Sequence, residues 1–263
     1  MNDFLDKLAN DAINRLDKGY YDLNITVKKL PVSLLKNILR CKNAPIIAEI
    51  KFSSPSKGII KENTKVGPIA SMMQRGGAIG LSILTEPDNF GGSIYFLPEV
   101  RANTTLPLLM KDIIVSTKQI DAALKVGANT VLLISTLFHR NYCEKSLAET
   151  IRYAHSKNLE VLLETHTLDE FMKAMSSEAE IVGINNRNLK TLKVDLNVTR
   201  KNLQKARINC KPVVSESGIE EPQHVNFLHS FGVKSFLVGT SIMTAANIEE
   251  KIRELVMSYA NKS

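Results

Sequence analysis

Eight short apolar runs recur along this chain at fairly even spacing, and nearly every run ends at a charged or polar residue. The runs are Ile46 to Ile50, Ile79 to Leu84, Pro107 to Met110, Thr130 to Ile134, Leu159 to Leu163, Ile181 to Ile184, Pro212 to Val214 and Lys234 to Val238. Continuous apolar runs are typical of parallel strands that are covered by helices. Eight such strands, each followed by a helix, predict an α/β fold of the closed (β/α)8 TIM-barrel type.

The segments between the runs carry the signals of amphipathic helices. Thr167 and Glu170 have capping-box spacing ahead of an apolar stripe, and Asn247 to Ala260 has one apolar face. A barrel of this kind takes roughly 250 residues. The chain has 263 residues, so we predict a single domain over residues 1–263 in which residues 45–263 form the barrel.

Residues 1–44 precede the first run and predict a helical extension. Two helices are expected, over Asp3 to Leu16 and Ser33 to Arg40, and each has an apolar stripe that should cover one end of the barrel. The first helix is too polar for a signal peptide, and no later stretch approaches the roughly 20 apolar residues of a membrane span. Three cysteines without a pattern fit reduced thiols. We therefore expect a cytoplasmic protein that does not bind a membrane.

The net charge of +7 raises the question of a nucleic-acid partner. The basic residues are dispersed among acids, and aromatic residues make up only 6 % with no Trp, so we predict no nucleic-acid binding. The positive charge indicates either a solvated surface or the attraction of anionic small substrates into a cleft. The five histidines have no metal-ligand spacing, so no metal site is predicted.

The residues at the ends of the runs predict an active site, because the C-terminal ends of barrel strands converge on one mouth. Those collected there are Glu49, Lys51, Lys111, Glu164, Asn185, Arg187, Glu216 and Ser217. Two lysines and three carboxylates around one cavity indicate acid/base chemistry, because neighbouring charges shift the pKa of each group. The alternative is a structural ion-pair network that fills the barrel, which would also shift pKa values.

The ends of the last two runs predict a phosphate site. Ser217 and Gly218 follow the seventh run, and Gly239 and Thr240 follow the eighth. In such barrels the loops after these strands and a short extra helix, here Ser241 to Ala245, often hold a phosphate through backbone amides. The two glycines would let the backbone approach the phosphate closely. The alternative is an ordinary turn.

Motifs along all eight runs resemble those of the indole-3-glycerol phosphate synthase family. The first is IIAEIKFSSPSKG, from Ile46 to Gly58. The others follow in the family's order: Leu81 to Glu86, Phe90 to Ser93, Leu109 to Asp112, Val131 to Ile134, Leu163 to His166, Gly183 to Leu189, Val214 to Ile219 and Leu237 to Met243. The resemblance is specific because eight separate motifs agree, whereas residues 1–44 resemble the family in placement only.

The resemblance implies a carboxy-lyase of tryptophan biosynthesis. Its reaction would close 1-(2-carboxyphenylamino)-1-deoxyribulose 5-phosphate to indole-3-glycerol phosphate, with loss of carbon dioxide and water. By resemblance Lys111 is the general acid, Glu164 the general base and Glu49 an acid/base partner, while Lys51 binds the anthranilate carboxylate. A lysine donates a proton near neutrality when burial or a like charge brings its pKa towards about 7 to 8, and Lys51 is a candidate for that effect on Lys111.

The resemblance also implies which residues hold the substrate. Asn185 and Glu216 would bind the sugar hydroxyls, Arg187 would orient the neighbouring acids, and Ser53 to Gly67 would form a mobile closing loop. The lining of the two remaining subsites would be Ser54, Phe90 and Leu132 for the aromatic ring and Ser217, Gly218, Gly239 and Thr240 for the phosphate. No cofactor or metal is implied, because the substrate supplies the electron sink. Other enzymes of the pathway are candidate partners.

Two other functions are weighed against this one. Phosphoribosylanthranilate isomerase is a similar phosphate-binding barrel, but it relies on a catalytic Cys where this chain has Glu49 and Lys51. A basic, non-catalytic binding protein on a degenerate barrel would lack acids or lysines at the mouth, and none is missing here. One departure from the family is Ile113, where Phe is more common, so the aryl pocket should differ in shape.

Overall fold

Eight parallel strands close into a barrel, which confirms the predicted fold. The computed structural model describes residues 3–54, 58–61, 65–206 and 211–261. The barrel strands are β1 (Ile46–Ile50), β2 (Gly80–Leu84), β3 (Leu108–Lys111), β4 (Thr130–Ile134), β5 (Glu160–Thr165), β6 (Ile181–Asn185), β7 (Val213–Glu216) and β8 (Ser235–Val238). Each strand pairs in parallel with its neighbours in sequence, and β8 pairs with β1 to close the ring.

The strands extend one or two residues beyond several apolar runs, into the polar residues that follow. Lys111 belongs to β3, and Glu164 belongs to β5. Strand pairing is a property of the backbone, so it continues through a polar residue whose side chain faces the barrel interior. The register brings these ends to similar heights, since Ile134 pairs with Glu164 and Asn185 pairs with Glu216.

Two helices precede the first strand, and the other helices of the described structure follow the strands on the outside of the barrel. They are α1 (Phe4–Asp17), α2 (Leu34–Arg40), α3 (Val66–Arg75), α4 (Pro87–Phe90), α5 (Phe96–Arg101), α6 (Thr117–Lys125), α7 (Ser135–His139), α8 (Leu147–Ser156), α9 (Leu168–Met175), α10 (Asn197–Ala206), α11 (Pro222–His229), α12 (Thr240–Met243) and α13 (Ile248–Val256). The predicted last helix ends earlier than expected and continues as a 3-10 turn over Met257–Asn261. In the described part of the chain, no helix combines the length and apolarity needed to cross a membrane.

The loop after β1 contains a small antiparallel hairpin. Ser53–Ser54 pairs with Gly58–Ile59, so part of the loop has regular structure. Residues 55–57 and 62–64 of the predicted mobile loop lie outside the described residues, and its mobility remains a prediction.

The barrel interior has an apolar lower layer and a charged upper layer. Side chains two residues apart on a strand face the same side of the sheet. Interior pairs of this kind come from alternate strands, as in other TIM barrels: Ile47 and Glu49 on β1, Leu109 and Lys111 on β3, Leu162 and Glu164 on β5, and Val214 and Glu216 on β7. The intervening residues pack outwards against the helices. The alternation that fills the core therefore also points the charged side chains into the mouth.

The N-terminal helix α1 lies over the mouth of the barrel. Its Leu5 and Leu8 are buried in the same cluster as Ile134 at the end of β4. Arg15 anchors the far end of the helix, since its Nη1 lies 2.9 Å from Oε1 of Glu86 in the loop after β2. The helix is thus held by apolar contact and by a buried ion pair.

Helix α2 closes the opposite end of the barrel. The Glu160 carboxylate, at the start of β5, accepts hydrogen bonds from the backbone N–H groups of Leu34 (2.8 Å) and Leu35 (3.2 Å). The Asn37 amide donates to the carbonyl of Ile79 just before β2, at 2.8 Å. The N-terminal extension therefore covers both ends of the barrel. The sequence had predicted that the apolar stripes of its two helices would cover only one end. The apolar pattern of α2 shows that one face is buried, but it does not show against which end of the barrel. That depends on the path of the chain between the two helices.

We expect Arg15→Met to lower the free energy of unfolding by about 3 kcal/mol, because it leaves the buried Glu86 carboxylate without its cation. Urea unfolding would measure the change. Arg75→Met is the matched control, because it removes an exposed partner from Glu249 and should have little effect. Equal losses in the two variants would show that the Arg15 ion pair does not hold α1.

Candidate active site

A cavity of about 510 Å³ opens at the mouth of the barrel, a size suited to a small molecule. All the predicted site residues line it: Glu49, Lys51, Ser54, Phe90, Lys111, Leu132, Glu164, Asn185, Arg187, Glu216, Ser217, Gly218, Gly239 and Thr240. Residues as far apart in the chain as Glu49 and Thr240 therefore meet at one site. Their individual roles remain predictions.

The ammonium of Lys111 bridges two buried carboxylates at the centre of the cavity. Its Nζ donates to Oε2 of Glu216 at 2.9 Å and to Oε2 of Glu164 at 3.1 Å. Only 15 % of the Lys111 side chain is exposed, and the two carboxylates are almost fully buried. Buried charges of this kind are stable only when they are paired, so the three groups depend on one another.

The pKa of Lys111 moves in the direction opposite to our prediction. Burial acts to lower the pKa, but Glu164, Glu216 and Glu49 outweigh burial and raise it above its usual value. We had expected Lys51 to lower it, yet the Lys51 ammonium is itself paired with Glu49 at 2.9 Å. Lys111 is therefore a charged hydrogen-bond donor at neutral pH.

The two carboxylates beside Lys111 have pKa values shifted in opposite directions. Burial acts to raise the pKa of Glu164, but Lys111 and His166 outweigh burial and lower it. Burial raises the pKa of Glu216 to about 7, with a further contribution from the Glu164 charge and against the effect of Lys111. Titratable neighbours whose pKa values are pushed apart are suited to separate acid and base roles.

Several buried oxygens around the cavity lack a hydrogen-bond partner within the described structure. In the described structure Oε2 of Glu49, Oε1 of Glu216 and Oγ of Ser54 are buried and have no hydrogen-bond partner. Buried polar atoms are normally paired, and exceptions call for an explanation. Acceptors such as the two carboxylate oxygens suit the hydroxyl groups of a polar ligand.

Asn185 and Arg187 act on the site through hydrogen bonds within the protein. The Asn185 amide donates to Oε1 of Glu164 at 3.0 Å, and its oxygen accepts from the backbone N–H of Arg187 at 3.0 Å. In the described structure the Arg187 guanidinium donates a hydrogen bond to the Leu192 carbonyl, at 2.9 Å. The resemblance assigned the orientation of the neighbouring acids to Arg187. The contact with Glu164 comes from Asn185, whereas the Arg187 charge interacts with Glu49.

Helix α1 supplies part of the apolar wall, which the sequence did not predict. Phe4, Leu5 and Leu8 line the cavity together with the predicted Phe90 and Leu132. The rings of Phe4 and Phe90 meet edge to face, with centroids 6.4 Å apart. Ile113 completes this wall with an aliphatic side chain. The apolar stripe of α1 was visible in the sequence, but its contact with the mouth was not.

The predicted phosphate end has an unusual backbone. Ser217 (φ 67°) and Gly218 (φ 83°) both adopt the left-handed conformation, which is uncommon for a residue other than Gly. A Cβ at Gly218 would overlap with the Val194 side chain. At Gly239 a Cβ would lie 2.5 Å from Oε1 of Glu49, so this glycine makes room for a carboxylate as well as for an approaching ligand.

Two further residues that sequence analysis missed adjoin the carboxylates. Gly183 of β6 faces Glu216, and a Cβ there would lie well inside contact distance of Oε1. His166, just after β5, places Nε2 at 3.2 Å from Oε1 of Glu164. A glycine within an apolar strand was the available signal for the first, because it often marks a close approach. Among the described residues, no group of three or more His, Cys, Asp or Glu is arranged to hold a metal ion.

Comparison with known proteins identifies the relatives of this chain. The sequence profile of the family described as "Indole-3-glycerol phosphate synthase" matches residues 9–255. The indole-3-glycerol phosphate synthase of Methanocaldococcus jannaschii is 44 % identical over 252 residues, which cover 94 % of this chain and 92 % of the relative. The enzyme of the same name from Aliarcobacter butzleri is 36 % identical and covers 96 % of both chains.

Solved structures show the same fold in more distant proteins. Thiamine phosphate pyrophosphorylase from Pyrococcus furiosus aligns with a TM-score of 0.59 at 18 % identity, over 84 % of this chain and 98 % of that one. N-acetylmannosamine-6-phosphate 2-epimerase from Clostridium perfringens aligns with a TM-score of 0.60 at 15 % identity, over 82 % and 93 %. At these identities the likeness concerns the fold alone.

We expect Gly183→Ala to lower kcat by tenfold or more, since the added methyl group must displace the Glu216 carboxylate from Lys111. Steady-state kinetics and thermal melting would measure the effect. Gly80→Ala is the matched control, because its Cβ would lie 2.5 Å from Leu34 Cδ1 at the opposite end of the barrel. It should lower stability and leave kcat unchanged. A Gly183 variant with normal kcat would mean that Glu216 can move without consequence.

Proposed function

Since the chain belongs to the indole-3-glycerol phosphate synthase family, we propose that the residues around Lys111 divide the steps of that family's reaction among them. The enzyme closes 1-(2-carboxyphenylamino)-1-deoxyribulose 5-phosphate to indole-3-glycerol phosphate in tryptophan biosynthesis. It is a carboxy-lyase that acts on a phosphorylated small molecule, as the sequence motifs predicted. The observation that carries the division of roles is the contact of one buried ammonium with two carboxylates of different pKa.

Lys111 is proposed to be the general acid for ring closure. The ring carbon that bears the carboxylate attacks the ketone carbon, and the ketone oxygen becomes a hydroxyl by taking a proton from Lys111. Its raised pKa keeps Lys111 protonated until substrate arrives, so a full positive charge faces the developing negative charge on oxygen. A lowered pKa is not required for this step, because the developing alkoxide is a stronger base than an ordinary lysine amine. Loss of carbon dioxide then returns the bonding electrons to the ring.

Glu164 is proposed to be the general base for dehydration. It takes a proton from the newly formed ring, while the hydroxyl receives a proton from the Glu49–Lys51 pair and leaves as water. Its lowered pKa supports this role, because a base must be ionised before it can accept a proton. Glu49, paired with Lys51, is proposed to be the acid/base partner in this step.

The aromatic end of the substrate is proposed to bind against Lys51 and the apolar wall. The Lys51 ammonium would pair with the ring carboxylate, and Ser54 would face the ring with its unpartnered hydroxyl. Phe90 and Leu132 would contact the ring faces, with α1 as the roof. The edge-to-face contact between Phe4 and Phe90 supports a preformed pocket.

The sugar phosphate is proposed to extend towards β7 and β8. Asn185 and Glu216 would bind the hydroxyl groups, and Arg187 would hold the loop after β6 through its bond to a backbone carbonyl. Ser217, Gly218, Gly239 and Thr240 would cradle the phosphate. The left-handed turn at the first two residues supports this cradle, because successive backbone N–H groups in such turns form anion-binding concavities.

Further proposals concern the protein as a whole. Residues 1–263 would form a single domain, since the extension over residues 1–44 packs on both ends of the 45–263 barrel. The protein is proposed to act in the cytoplasm without a metal or other cofactor, and to bind neither nucleic acid nor membrane. Other enzymes of tryptophan biosynthesis are proposed partners, because they make and consume its ligands.

The proposed roles of Lys111 and Lys51 can be tested by measuring turnover of the carboxyphenylamino substrate, with indole fluorescence as the readout. We expect Lys111→Ala to lower kcat by roughly 10²-fold or more with little change in KM, because it removes a positioned proton donor. Lys51→Met is matched in burial and charge, and it should raise KM as well, because it removes the partner of the ring carboxylate. Identical effects of the two variants on kcat and KM would contradict the proposed division.

Ser217→Gly tests the phosphate cradle without straining the backbone. Glycine adopts φ 67° readily, so the variant should melt at the same temperature as the wild type or higher. Loss of the hydroxyl should raise both KM and the inhibition constant of inorganic phosphate several-fold, with kcat retained. If phosphate inhibits the variant and the wild type equally, the Ser217 hydroxyl does not contact the phosphate.

A further inference from the structure

His166 lies behind Glu164, on the protein side of the carboxylate. Its Nε2 is 3.2 Å from Oε1 of Glu164, and only 11 % of its side chain is exposed. Both ring nitrogens are buried, and in the described structure neither makes a well-aligned hydrogen bond to another group. The ring is absent from the cavity lining, so it interacts with protein groups rather than with a ligand: with Glu164 and, through its charge, with Glu170. A buried imidazole in this place needs a reason.

The backbone at His166 is held in place by Glu170 of α9. The His166 N–H donates to Oε2 of Glu170 at 2.8 Å, and the hydroxyl of Thr136 donates to Oε1 at 2.6 Å. Glu170 is itself buried, and Nδ1 of His139 on α7 lies 3.6 Å from its Oε1. These contacts fix the end of β5 and so fix the approach of the ring to Glu164.

The two oxygens of Glu164 have different neighbours. Oε2 accepts from the Lys111 ammonium at 3.1 Å, whereas Oε1 accepts from the Asn185 amide at 3.0 Å and faces His166. Glu216, across Lys111, is the other charge near this carboxylate. The ring of His166 therefore reaches the oxygen that Lys111 does not neutralise.

We propose that His166 is a positioning residue for the reaction, whose Nε2–H holds Oε1 of Glu164 and keeps the carboxylate ionised and turned towards the substrate. The inference rests on the proposed role of Glu164 as the base. It requires a proton on Nε2, which both the imidazolium and one neutral tautomer provide. An N–H directed at a carboxylate favours its charged form, so removal of the ring should make Glu164 easier to protonate.

His166→Phe and His166→Gln test this role. We expect His166→Phe to lower kcat about tenfold with KM changed less than twofold, the scale of one hydrogen bond to a charged group. The acid limb of the kcat/KM profile should move to higher pH, because a Glu164 of higher pKa loses its charge sooner as the pH falls. His166→Gln should recover most of kcat, since its amide can donate to Oε1.

The control is His155→Gln. His155 lies 2.9 Å from Glu180, which comes just before β6, so this pair is far from the mouth of the barrel. It should leave kcat and the pH profile unchanged. Profiles would be recorded only where thermal melting shows each variant to be folded. If His166→Phe loses kcat without a shift of the acid limb, or if His166→Gln is no better than His166→Phe, the proposal is wrong.

Glu164→Gln separates this inference from the function on which it rests. If Glu164→Gln retains wild-type kcat, the assignment of the base fails. If Glu164→Gln is inactive while the His166 variants keep a normal rate and pH profile, only the role of His166 fails. If Glu164→Gln retains measurable activity, adding His166→Phe to it should cause no further loss, because a positioning residue acts only through its partner. A full tenfold further loss would show that His166 acts independently.

Discussion

The pairing of the Lys111 ammonium with the carboxylates of Glu164 and Glu216 is the interaction on which the rest of the mouth depends. Three carboxylates, counting Glu49, point into one buried layer, where each would be costly without a cation. Lys111 compensates two of them and Lys51 the third. Removing either lysine would leave a buried negative charge, and the carboxylates would then become protonated or swing apart. The barrel supplies the strand register that keeps cations and anions at one level.

The apolar layer below the charged side chains and helix α1 above them both help to keep these charges paired and buried. Below the charged layer, apolar side chains of the same strands fill the barrel and hold the strands at a fixed separation. Above it, α1 covers the apolar side of the mouth and is tied down by Arg15, which limits the access of water to the charges. Electrostatic interactions are stronger in such a water-poor site. The N-terminal helix therefore contributes to the site by covering the charged layer as well as by lining the cavity.

The sequence predicted the fold and the membership of the site, but not how the site residues interact. Continuous apolar runs reveal buried strands, and strand ends in a barrel must converge, so Lys111 and Glu164 could be placed together without coordinates. The pKa shift of Lys111 was predicted with the wrong sign, because its direction depends on which oxygens lie within 3 to 4 Å. Gly183 and His166 were missed for a similar reason: their importance lies in distances across neighbouring strands and loops, which periodicity does not encode. The end of the barrel that each N-terminal helix covers also depends on the path of the chain.

Glu164 and Glu216 show how one ammonium can hold two carboxylates in different protonation states. Both contact Lys111 at similar distances, so the cation alone cannot separate their pKa values. The difference comes from their other neighbours, above all from His166 beside Glu164. The His166 ring lies 3.2 Å from Glu164 and the Asn185 amide donates an N–H to it, whereas Gly183 offers Glu216 only space. Glu164 therefore remains ionised while Glu216 titrates nearer neutrality. Two residues of one type acquire distinct chemistry because a histidine and an amide lie beside Glu164, whereas Glu216 has a glycine and the Glu164 charge as neighbours.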